Sequence, residues 1–146
     1  MPLLEWSPAL VLDIPEIDRA DHLLVDLMVE LERASLAGAP YTVLQSTFQR
    51  LGEATQRHFT EEEALMERLR YPELAQHKII HAGLLEKFGA HFAQFRAKKA
   101  GVDPEVFKFL AFWLRAHICG VDKRYADHRR GGMSATTGEK KAAMNR

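Results

Sequence analysis

A chain of 146 residues that is 47% apolar can bury one sizeable core and is too short for two comfortable ones. Twenty basic side chains balance twenty acidic ones, so no long-range field draws the protein to nucleic acid, an anionic membrane or a polyanionic substrate. The start at Met1-Pro2-Leu3 lacks a basic leader, no run approaches the ~20 apolar residues of a membrane helix, and the single Cys119 cannot form an internal disulfide. A soluble, cytoplasmic and monomeric protein is the expectation.

Residues 1 to about 17 hold three prolines and no helical period, which predicts an extended arm with Trp6 and Leu10 resting on the body. A first helix is predicted from about Asp18 to Ala37, with Leu24, Met28 and Leu31 on its inner face and Gly38 ending it in a left-handed conformation. After Pro40, a second helix carries Leu44, Phe48, Leu51, Thr55, His58, Glu62, Leu65 and Leu69 at alternating steps of four and three, one continuous inward stripe. Tyr71-Pro72 breaks it. The third helix aligns Leu74, His77, His81, Leu84, Phe88, Phe92 and Phe95 and ends near residues 98–101. Asp103-Pro104-Glu105 supplies a cap, a first-turn proline and a favourable charge for a fourth helix, with Val106, Leu110, Trp113 and His117 facing inward and an end near His128. Residues 131–146 read as a flexible tail, leaving residues 1–130 as the domain. Four amphipathic helices on short connections predict an all-α, up-down-up-down antiparallel four-helix bundle.

That topology fixes the height of each polar residue on the inner stripes. His22 falls near the start of the first helix, His58 and Glu62 late in the second, His77 and His81 early in the third, and His117 and Asp122 late in the fourth. All seven share one end of the bundle. Residues four apart differ by about 40° in direction and about 6 Å in height, so His58 with Glu62, and His77 with His81, can chelate from one face. His117 and Asp122 are five apart, about 140° on a regular helix, and a local π-type widening is expected between them. Unpartnered burial costs roughly 2 to 7 kcal/mol per polar group and more for a charge, so cations are the natural partners. Imidazole and carboxylate donors suit iron, and one cysteine rules out a thiolate-rich zinc site. Seven side chains with both carboxylates shared make nine metal contacts. Two octahedra with a bridging oxygen then leave one position open.

The set His22, His58-x3-Glu62, His77-x3-His81 and His117-x4-Asp122 resembles the ligand pattern of the hemerythrin family, and within it the bacteriohemerythrins. The likeness extends to Trp6, Ile17-Asp18, His58-Phe59-x-x-Glu62-Glu63-x-x-Met66, Tyr71-Pro72 and Trp113-Leu114-x-x-His117-Ile118-x-x-x-Asp122-x-x-Tyr125, over about residues 6 to 128. Asp21 departs from it, the position before the first histidine usually being glutamine. The resemblance implies two iron ions cycling between ferrous and ferric, bridged by an oxo or hydroxo group, Glu62 and Asp122. It assigns His77, His81 and His117 to the saturated iron, and His22 and His58 to the iron with the open position. It further implies an apolar oxygen pocket of Phe59, Trp113, Leu114 and Ile118, and a supporting hydrogen bond from Tyr125.

Reversible dioxygen binding for storage, transport or delivery to an oxygen-consuming client enzyme is the expected function, without catalysis. The alternatives are an oxygen or iron sensing module, which would signal through the short tail, a nitric oxide or iron-handling protein, and a di-iron oxidase or peroxidase. Carboxylate-rich di-iron enzymes use Glu-x-x-His motifs, and the chain contains none. His91 is left out as a ligand, His128 is read as solvent-facing near the helix end, Cys119 as a buried structural thiol, and Glu61 and Glu63 as a solvated face.

Overall fold

The computed structural model describes residues 8–118 and 123–134, the side chains of residues 9, 125 and 130–134 excepted. Trp6, Cys119, Asp122 and the end of the expected tail lie outside the described residues. After a single 3-10 turn at Pro8–Leu10 come α1 (Pro15–Leu36), α2 (Tyr41–Arg68), α3 (Leu74–Lys98), α4 (Pro104–Arg115) and α5 (Lys123–Ser134). There is no strand among the described residues.

Of the expected extended arm, residues 1–7 lie outside the described residues and residues 15–17 are helical; between them Leu10, Leu12 and Ile14 are buried at 3%, 2% and 1% exposure. The Leu12 N–H donates to Asp18 Oδ1 at 2.8 Å, which ties the arm to the first turn of α1. That helix starts three residues earlier than the periodicity suggested, because Pro15 sits in its first turn with Glu16 and Asp18 beside it. It stops at Gly38, whose φ of +72° is the left-handed value expected there. At α4 the Asp103 carboxylate accepts from the Glu105 N–H at 3.0 Å, the cap read from the sequence.

α2 packs against both α1 and α3, and α1 also meets α4. Successive helices joined by short turns alternate in direction, so the four stripes enclose one core. Its centre is Met28, Leu31, Phe48, Leu51, Met66 and Leu110, each 0% exposed. Past Arg115 the backbone of residues 116–118 widens into a π-helix, on the segment where the His117 to Asp122 spacing called for it.

The helical segment α5 runs on to Ser134, past the expected end near His128 and the expected boundary at residue 130. Burial and hydrogen bonding hold it to the body. Ala126 is 1% exposed, and His128, expected to be solvent-facing, donates from Nε2 to the Leu69 carbonyl at 3.0 Å. Once a helical turn is fixed in this way, each further residue adds a hydrogen bond at little cost.

Candidate metal centre

The stripes of α2, α3 and the widened end of α4 bring His58, Glu62, His77, His81 and His117 to one height, all at most 3% exposed. One donor atom from each of Glu62, His77, His81 and His117 lies within 4.8 Å of the others. Nε2 of His81 and Nε2 of His117 are 3.0 Å apart. Glu62 Oε1 lies 3.3 Å from His81 Nε2, 3.9 Å from His117 Nε2 and 3.6 Å from His58 Nε2. This one carboxylate oxygen therefore lies within 4 Å of imidazole nitrogens carried by α2, by α3 and by the widened end of α4.

Glu63 is part of the site, not of a solvated face. His81 Nδ1–H donates to Glu63 Oε2 at 2.8 Å, and the carboxylate is 28% exposed. With the proton held at Nδ1, the lone pair of His81 is at Nε2 and points into the cluster. Phe59 stacks on the His81 ring at 3.8 Å with an interplanar angle of 1°. Phe59 also meets Trp113 edge-on at 5.8 Å. With Leu114 and Ile118 they are at most 3% exposed. Phe59 and Trp113 thus lie against the imidazoles, and Leu114 and Ile118 are buried in the same core.

The structure does not bring His22 to this cluster. Its side chain is 49% exposed, and its Nδ1 lies 3.3 Å from Asp26 Oδ2 on the outer face of α1. The inward place belongs to Asp21, 0% exposed, with Oδ1 2.6 Å from Nε2 of His58. The reason is rotational. The buried face of α1 runs Ile17, Asp21, Leu24, Val25, Met28 and Leu31, and at 100° per residue His22 is turned well off it. Stepping back three from Leu24 along the apolar stripe reaches Asp21, so the signal was present in the sequence. His91 packs against Phe109 with ring centroids 4.9 Å apart and the rings tilted by 37°, away from the cluster.

The donor chemistry fits a metal. A histidine with its proton fixed at Nδ1 faces a second imidazole nitrogen at 3.0 Å and a carboxylate oxygen at 3.3 Å, all in a dry interior. Nitrogen and oxygen donors without thiolate match iron or a similar first-row ion.

The model of the hemerythrin HHE cation-binding domain matches residues 13–128. The chain belongs to the hemerythrin family. It is 29% identical over 127 residues to a bacteriohemerythrin of Stenotrophomonas maltophilia, covering 87% of this chain and 82% of that one. With a bacteriohemerythrin of Clostridium acetobutylicum the identity is 25% over 130 residues, 84% of this chain and 98% of the relative. A crystal structure of a hemerythrin mutant superposes with a TM-score of 0.79 at 25% identity, covering 88% of this chain and 98% of that one. The all-α bundle is therefore a hemerythrin fold, and the histidine and glutamate cluster of this hemerythrin domain fits a non-haem di-iron centre. No helix among the described residues is long and apolar enough to cross a membrane.

Proposed function

We propose that this hemerythrin-family domain binds dioxygen reversibly at a di-iron centre, as a carrier or store and not as an enzyme. The observation that carries this reading is the position of Glu62 Oε1, within 3.3 to 3.9 Å of nitrogens from His58, His81 and His117. On this reading His77, His81 and His117 hold one iron, His58 contributes to the second, and Glu62 bridges them. Asp122, outside the described residues, supplies the other bridge, and Tyr125 supports it.

A ferrous pair bound here would lend two electrons to dioxygen and recover them on release. The protein's part is to keep that exchange reversible. Phe59, Trp113, Leu114 and Ile118 close the interior around the imidazoles, excluding the water and external acid that would turn a reversible ligand into a lost product. Glu63 holds the His81 proton at Nδ1 and keeps Nε2 available. The imidazole-rich side of the cluster, and the absence of any Glu-x-x-His pair, favour a carrier over an oxidase or peroxidase. A soluble domain working in the cytoplasm as a monomer and serving an oxygen-consuming client fits the balanced charge of the chain.

The test is to load ferrous iron without oxygen, admit air, and then remove the oxygen while recording the visible spectrum. A carrier develops a charge-transfer band in air and loses it under argon over repeated cycles. A band that never forms or never reverses, or steady turnover of peroxide or ferrous iron, contradicts the proposal.

A further inference from the structure

The position of Asp21 changes the expected composition of the metal site. We propose that Asp21, and not His22, is the ligand that α1 contributes to the second iron, so that a carboxylate stands where the sequence resemblance implied an imidazole. This inference rests on the di-iron reading and specifies one donor of that same site.

Three observations carry it. Asp21 is 0% exposed, as is Glu62 of the cluster. Its Oδ1 lies 2.6 Å from His58 Nε2, which is itself 3.6 Å from Glu62 Oε1. Two carboxylate oxygens thus converge on His58, a histidine outside the close group of Glu62, His77, His81 and His117. His22, in contrast, is half exposed and directed to Asp26, and turning it inward would rotate Leu24, Met28 and Leu31 out of the core.

The consequence is a second metal position with a different donor set. An anionic, hard oxygen replaces a neutral nitrogen there, which favours the ferric over the ferrous ion. The three-histidine position is untouched. The substitution therefore makes the two metal positions more unlike each other than five histidines would.

Five proteins test the assignment: the natural chain, D21A, D21N, D21H and H22A, each loaded anaerobically with ferrous iron. Iron per chain, affinity by chelator competition, and Mössbauer spectra are the readouts. We expect H22A to match the natural chain in all three. D21A should lose one iron selectively, retaining the spectral component of the three-histidine position. D21N keeps the size and one oxygen of the side chain but removes its charge; its second iron should bind at least ten-fold more weakly. D21H should regain that iron with an altered spectral component for it and a raised reduction potential. If D21A fails to fold, D21N and D21H decide. A D21N protein with unchanged affinity and spectrum, or an H22A protein that loses one iron, overturns the assignment. A natural chain that takes up fewer than two irons refutes the di-iron reading itself, and the ligand assignment falls with it.

Discussion

The antiparallel pair α2 and α3 uses the same rows of side chains to build two unlike ends. At one end Phe48 meets Phe88, Phe92 and Phe95 at 5.2, 5.0 and 5.3 Å, and Tyr41 stacks on Phe95 at 5.0 Å. At the other end the same two stripes carry His58 and Glu62 against His77 and His81. Periodicity dictates burial at both ends and is blind to what is buried. The aromatic end is stable by itself, since ring packing and removal of apolar surface from water need no partner. The polar end places imidazoles and carboxylates in a dry core and is completed by a cation, so metal binding there adds directly to folding stability.

The largest break in this comparison comes from Glu62. Its oxygen serves both halves of the cluster, so E62A should lower iron from about two per chain to below one. Elemental analysis of the anaerobically loaded protein checks this, and two irons retained would remove Glu62 as the bridge. The opposite end responds in the opposite sense. F48A should cost about 3 to 5 kcal/mol in denaturant unfolding while the folded fraction keeps the full iron content. Loss of metal in a folded F48A protein would mean that the ends are not independent.

Smaller changes sharpen the contrast. E63Q removes the acceptor charge from the His81 Nδ1–H and leaves the other donors in place, so both irons should still bind, with affinity reduced about 10- to 100-fold in chelator competition. Unchanged affinity would return Glu63 to the solvated face. At the aromatic end, a Cβ added at Gly52 would come within 2.8 Å of Phe88 Cε1. G52A gains helix propensity of about 1 kcal/mol and meets an overpacking cost of about 1 to 3 kcal/mol. A net loss of about 1 kcal/mol in urea unfolding is expected, with iron binding unaffected.

Much of this was legible from side-chain spacing. The steps of four and three in α2 and α3, the Asp103 cap, the left-handed Gly38 and the π-helix at residues 116–118 each follow from a local rule acting on particular residues. The heights of His58, Glu62, His77, His81 and His117 followed from helix direction alone. Rotation on α1 was the failure. A histidine one residue from the true inner position was preferred for its chemistry over the apolar phase set by Leu24, Met28 and Leu31, and a single residue is 100°. Glu63 was hidden for a related reason. It lies beside Glu62 and reads as surface on α2 alone, and only the approach of His81 from α3 gives its carboxylate a partner. His128 is a third case, since its bond to the Leu69 carbonyl joins residues 59 apart in sequence.

The most direct test of the central claim is an anaerobic ferrous titration of the natural chain followed by both metal uptake and thermal unfolding. The account predicts saturation at two irons per chain, two distinct Mössbauer components, and an unfolding temperature that rises with loading, worth about 2.7 kcal/mol at free iron a hundred times the dissociation constant. Saturation at one iron, or an unfolding temperature indifferent to iron, would contradict it.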